Sequence, residues 1–433
     1  MGVKISGLTA KGTALATTDL IEISQDAGGG LYTSRSVTGA NIKALVTDAN
    51  MTTSDITTND VSTAKHGFAP KAPNDTAKFL RGDGTWAVPA SGGLTNFTEA
   101  ANSSAPNATV PVNSLTATGA ATNIDVAIRP KGTGAILAAI PDSTATGGNK
   151  RGQYAVDLQF YRTAATQVAS GNYSFVAGLG AAATAQGSIA IGGSAASTGN
   201  NSLAMCSGSS TGTNSIGIGS RCVASGTTST AIGGYTYGDT IASGESSFAS
   251  MSGTASGIFS LAMGYLSIAN AQSSFALGQQ SNVFGIFGRQ VYASGQEGTS
   301  GDSQASKFIL RERTTGNTAT TLTSDSGTGG TSNQVILSNQ SAYRFKGSIV
   351  GKQSGSVNAA VWDIDGFIVR GANAAATTLN VSNVTLVQNT PAWGTPTLAA
   401  DTTNGGLRVQ VTGAAATNIQ WTAVIETTEV IYA

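Results

Sequence analysis

SFVAG (174–178), SIAIG (188–192), SLAMC (202–206), SIGIG (215–219), STAIG (229–233), SFASM (247–251), SLAMG (260–264) and SFALG (274–278) are eight versions of one five-residue phrase. Their first serines stand 14, 14, 13, 14, 18, 13 and 14 residues apart. A fixed short period marks a solenoid, in which each unit is incomplete alone and buries its surface on its neighbours. Within a phrase the pattern has period 2, so each phrase reads as a strand. Ile189 and Ile191, Leu203 and Met205, or Phe275 and Leu277 fall on one face, which is expected to be buried. Ser188 and Ala190, or Ser202 and Ala204, fall on the other, a smooth face suited to another backbone. Intervening segments such as GSAASTGNN (193–201) leave room for a second short strand and two glycine-assisted turns. Coils stacked at ~4.8 Å would make eight repeats a rod about 40 Å long. So thin a coil encloses little, so several chains, three by preference, are expected to associate through their small-residue faces.

The phrase SxAxG on a period of about 14 residues resembles the head repeats of trimeric autotransporter adhesins, which also occur in bacteriophage tail-fibre proteins. The resemblance covers about residues 171–290 and implies a left-handed parallel β-roll in a homotrimer. Cys206 and Met251 depart from it at the glycine position, where a bulge is expected. Four extra residues around Gly234–Glu245 are expected to form a surface loop.

Only 11% of the residues are charged and 6% aromatic, against 56 glycines, which suits an extended all-β chain better than an ordinary globular domain. The equal counts of Lys+Arg and Asp+Glu, 23 each, argue against nucleic acid as a partner. No apolar run reaches 18 residues and no basic-then-apolar leader opens the chain, so neither membrane insertion nor a secretory signal is expected. Met1-Gly2 with Ser6 fits a myristoylation pattern too short to carry weight without a basic patch. Cys206 and Cys222 have no CxxC spacing and no histidine nearby, so neither a disulfide framework nor a zinc site is expected.

In chain order, residues 1–50 read as a compact unit: a strand at 18–24, a Gly28–Gly30 turn, a strand at 31–37, and a short helix at 40–45 capped by Thr38. KISGLTA…TDLIEIS…SRSVTGANIKAL resembles the attachment segment of phage fibres and implies docking to the virion. Residues 51–93 carry STAKHGFAPKAPNDTAKFLRGDGTW, similar to a tail-fibre shaft segment, with a turn at Gly82-Asp83-Gly84. Residues 94–170 hold short strands at 109–112, 124–128 and 134–137, in a module resembling those that precede such rolls. Arg129-Pro130-Lys131-Gly132 lacks the spacing and helix of a phosphate loop and reads as a turn. Residues 171–290 form the roll and 291–306 a linker. Residues 307–433 carry short strands at 307–313, 319–323, 334–337, 343–350, 359–363, 367–371, 378–381, 407–411 and 419–425, implying a β-sandwich knob with a tight hairpin at Asp365-Gly366.

No catalytic residues, metal ligands or cofactor site emerge. A glycosidase needs paired carboxylates, and residues 171–290 hold only Asp239 and Glu245, both in the irregular coil. Asp363 and Asp365 lack the rest of a calcium loop. His66, the single histidine, has no acid and nucleophile about it. Arg81-Gly82-Asp83 is explained by the shaft phrase. Trp362 and Trp421 sit in strand patterns and read as core, whereas Trp393, in PAWGTP, is the candidate exposed receptor contact. The expectation is therefore an all-β, non-enzymatic homotrimeric tail fibre on the virion. Its partners would be a tail or capsid protein at the N-terminus and a host-surface glycan or protein at the distal end. A capsid-mounted appendage is the alternative, and a cellular trimeric adhesin is disfavoured by the missing leader and anchor.

Overall fold

The computed structural model describes residues 18, 20–26, 29, 32–45, 72–89, 96–234 and 238–432. The chain divides into two units, Met1–Ala127 and Ile128–Ala433. Met1, Gly2, Ser6 and His66 lie outside the described residues.

In the first unit, strands Leu20–Asp26 and Tyr32–Thr38 pair antiparallel, Leu20 opposite Thr38. The helix Gly39–Leu45 follows, with the Thr38 hydroxyl accepting the Asn41 N–H at 3.2 Å, the cap expected of that threonine. A tight hairpin joins Phe79–Leu80 to Trp86–Ala87 around Gly84, whose φ of 81° requires glycine. The Asp83 carboxylate accepts the Thr85 hydroxyl and N–H there at 2.7 and 3.1 Å. Phe97–Asn102 pairs antiparallel with Val112–Ala117. Ile124–Ile128 forms no paired strand.

In the second unit every phrase of the repeat becomes a strand, and the strands stack parallel without register slip. Ile189 lies beside Leu203, then Ile216, Thr230, Phe248, Leu261 and Phe275. A second parallel sheet runs from Ala182–Ala183 to Ile268–Ala269 along the other side of the roll.

The two faces of the repeat are the reverse of the expectation. The small residues point inward: Ala190, Ala204, Ala231, Ala249, Ala262 and Ala276 are buried, with the serines that open each phrase. Two sheets joined by corners of mostly three to five residues are too close to hold two layers of Ile or Leu. The aliphatic residues therefore point outward, where Ile189, Ile232, Met263, Phe275 and Leu277 stay exposed. Serine suits the first position because a buried hydroxyl needs a partner. Seven of the eight donate to the carbonyl three residues back, as Ser174 does to Gly171 and Ser260 to Gly257, both at 2.6 Å. Ser229 is the exception.

Cys206 and Met251 produce no bulge; they make the two 13-residue coils. Cys206 and Ser207 have φ of 53° and 65°, Met251 and Ser252 of 54° and 67°. Each pair is a two-residue turn closed at 3.0 Å, Gly208 N–H to Met205 carbonyl and Gly253 N–H to Ser250 carbonyl. The coil with four extra residues keeps its place too: Thr240 lies beside Cys222, and Asp239 pairs with Arg221 at 2.7 Å on the surface.

A polar plug closes the start of the roll. The buried Asp157 carboxylate accepts Arg151 Nε at 2.7 Å and Arg162 Nη2 at 3.2 Å. Gln159 bridges Gln167 and Ala181 through its amide. At the other end, buried Arg289 pairs with Glu429, which also accepts Gln304 Nε2 at 3.0 Å and the Thr427 hydroxyl at 2.5 Å. This pair ties the last coil to the final strand.

Half of the expected linker 291–306 is strand. Gln290–Ser294 pairs parallel with Phe275–Gln279 and antiparallel with Ser303–Thr314, so the roll sheet runs unbroken into the C-terminal module. The sheet continues through Ile419–Ile431, Ser341–Gln353, Ala359–Arg370 and Thr377–Asn389, all antiparallel. A smaller sheet of Ala319–Thr321, Gly406–Thr412, Val335–Ile336 and Gly394–Asp401 shares one core with it, including Phe308, Phe345, Trp362 and Trp421 against Leu322, Val335, Leu407 and Val409. Asp365-Gly366 is not a turn; it lies within Ala359–Arg370. Glycine is needed there because a Cβ would stand 2.3 Å from the Phe345 ring and 2.2 Å from the Val381 carbonyl.

Candidate functional site

The continuous sheet presents one outer face along the whole second unit. On the roll this face is an aliphatic stripe, from Phe175 through Ile191, Met205 and Ile218 to Leu277. The roll interior is already filled by Ser and Ala, and within this unit the stripe residues stay half-exposed on the outer surface. Ile140 (86%), Leu158, Phe160 (81%), Tyr161 and Leu179, around the first coils of the roll, are exposed as well. Contiguous apolar exposure of this kind marks a surface that meets another molecule.

On the C-terminal module the same face turns polar. Arg344 pairs with Asp365 at 2.9 Å and Lys346 with Glu426 at 3.4 Å, all exposed. Asp365 is therefore a surface ion-pair partner, further held by Asn383, and Asp363 lies two residues away on the same strand. Among the described residues no group of three or more His, Cys, Asp or Glu could hold a metal, and no helix is long and apolar enough to cross a membrane. Cys206 is exposed and Cys222 buried, both as free thiols; burial pushes the Cys222 thiol up, and it donates to the Ile218 carbonyl at 3.1 Å. Arg81 and Asp83 form an exposed pair at 3.5 Å across their turn.

Trp393 is not the exposed contact expected from PAWGTP. It is 7% exposed, its ring edge-on to Trp421 at 5.5 Å, and its backbone N–H and carbonyl are both held by the Asn389 amide. The neighbouring Gly394–Asp401 is a strand, which carries the tryptophan into the core. Trp362 and Trp421 are core, as expected. The Arg151–Asp157–Arg162 and Arg289–Glu429 clusters were not foreseen, since charged residues scattered along a sequence read as surface.

Residues 183–205, 210–236 and 255–281 match the family described as YadA head domain repeat (2 copies). Among solved structures, a tailspike protein from Acinetobacter baumannii bacteriophage Fri1, described as a capsular polysaccharide depolymerase, is similar at 10% identity. The match covers 59% of this chain and 44% of that one, with a TM-score of 0.21. The tailspike protein of Acinetobacter phage vB_ApiP_P1 is similar at 11% identity over 60% of this chain and 51% of that one, with a TM-score of 0.19. The chain thus spans about half the length of the solved structures it matches. No curated protein matches. The expectation of a non-enzymatic chain is withdrawn on this finding, because a similar structure is that of a depolymerase. A TM-score of 0.21 in turn assigns no activity to this chain. The stacked coils thus form a parallel β-roll in which three stretches within 183–281 match the YadA head domain repeat.

Proposed function

We propose that this chain is a bacteriophage tail fibre, a homotrimer docked to the virion tail through its N-terminal unit and binding a host-surface glycan through its C-terminal module. The observation that carries the reading is the outer aliphatic stripe on a roll whose interior is already full. Fully burying an Ile or Leu is worth about 1.5–3 kcal/mol, so covering what remains exposed contributes roughly 0.5–1 kcal/mol per residue, repeated at every coil. Identical chains side by side bring the same stripe into contact at each level, as a closed symmetric assembly requires. The attachment-like N-terminal stretch and the shaft-like phrase ending in Trp86 supply the virion end of the reading. Weak glycan contacts then sum over several chains and fibres.

The test is adsorption. Purified full-length chain added in excess should block attachment of the parent particle to its host, and fluorescently labelled chain should coat those cells. Unimpaired adsorption at saturating chain would defeat the reading. Measuring released reducing ends in the same mixture separates binding from cleavage of the polysaccharide.

A further inference from the structure

The end of the module remote from the roll holds a cavity of about 700 Å³ opening on the outer face of the long sheet. Its lining comes from three adjacent strands at one level: Arg313 from Ser303–Thr314, Gln420 from Ile419–Ile431 and Lys352 from Ser341–Gln353. Gln420 is the register partner of both Arg313 and Lys352, so one amide stands between two cations. All three side chains are exposed. Asn418, Thr422 and Thr315 add hydroxyl and amide groups, and half-exposed Val350 an apolar patch.

No carboxylate lines this cavity. Elsewhere on the face Arg344 is matched by Asp365 and Lys346 by Glu426, while Arg311 donates to the Ser324 carbonyl. Those acids, with Asp363, stand four or more residues further along the strands, about 13 Å or more away, and the nearer Glu312 carboxylate, outside the lining, accepts the Arg313 backbone N–H. The Lys352 ammonium donates only to backbone carbonyls, those of Gln353 and Ser356. The volume falls within the range of small-ligand sites. A guanidinium and an ammonium flanking amides and hydroxyls suit a ring that carries one carboxylate and several hydroxyls, while Val350 suits its C–H face.

We propose that this cavity is a subsite for a uronic-acid-type sugar of an acidic surface polysaccharide. Arg313 and Lys352 bind the carboxylate, and Gln420 and Asn418 read the hydroxyls. The proposal rests on the attachment reading and gives it a ligand class.

The test uses the full-length chain with fluorescent oligoglucuronate and, as control, oligoglucose of the same length. Binding of the acidic oligomer alone, weakening with salt, is expected. Arg313→Gln should reduce affinity about tenfold or more, the loss of a charge-assisted hydrogen bond. Arg313→Lys should recover part of it. Gln420→Glu, an exposed change that sets a negative charge between the cations, should abolish binding while leaving the melting temperature unchanged. Binding of neither oligomer, equal binding of both, or full binding by an Arg313→Gln/Lys352→Gln variant would overturn the subsite. The adsorption assay keeps the two ideas apart. If that double variant blocks adsorption as well as the wild type does, the subsite fails and the attachment reading stands. If the wild type fails to block while oligoglucuronate binding depends on Arg313, the reading fails and the subsite stands.

Discussion

Trp393 is held at both ends of its backbone by Asn389 and against Trp421 by its ring. Trp393→Ala should therefore cost about 3–5 kcal/mol of stability in denaturant unfolding; a change near zero would restore it to the surface. The sequence hid this because Pro391 and Pro396 flank the residue and argue against a strand, yet Gly394–Asp401 forms a hairpin with the next strand, Gly406–Thr412. Asp302 belongs to the same scale. Burial opposes its ionisation, but the N–H groups of Thr299, Gly298 and Glu297 outweigh it and hold the carboxyl below its usual range. Asp401 behaves alike: burial is outweighed by the Asn404 side chain and N–H, Gln334 and the Thr403 N–H. A carboxyl lowered in the folded state stabilises fully above its unfolded pKa and loses that contribution as pH falls through the folded value. The melting temperature of the chain should thus drop between about pH 4 and pH 2. A melting temperature that rose on acidification would contradict the assignment.

At the scale of the element, the repeat period gave away the strands, their parallel stacking and the two-strand coil. It could not give the polarity of the coil, because a period of 2 separates two faces without saying which is inside. The width of the roll decides that, and the width is set by its corners. Ala190→Leu, into a filled interior, should destabilise the roll by about 1–3 kcal/mol or more. Ile191→Ser, on the outer face, should leave the fold of the coil intact and weaken association instead. Circular dichroism and size measurement on the two variants check this, and the reverse pattern would return the aliphatic face to the inside. Asp365-Gly366 shows the same limit: the dipeptide is a turn signal locally, yet here the glycine makes room for the ring of Phe345.

At the scale of the molecule, the boundary expected at 291–306 is where the sheet passes unbroken from roll to module, and the buried Arg289–Glu429 pair locks that passage. Both side chains are fully buried, so removing one charge strands the other. Glu429→Gln should cost about 3–5 kcal/mol and speed amide exchange across residues 290–306; unchanged exchange would show that the pair does not hold the junction. The same buried surroundings, burial first and then the Glu429 charge, push the Tyr343 phenol up to about 12, so it stays protonated through the whole range. None of this was legible in the sequence, since Arg289 and Glu429 are 140 residues apart.

The attachment reading is tested most directly by electron microscopy of intact particles labelled with an antibody against residues 307–433. Label is expected at the tips of appendages around the tail, three epitopes to each. Label spread over the head, or held against the particle wall, would contradict it.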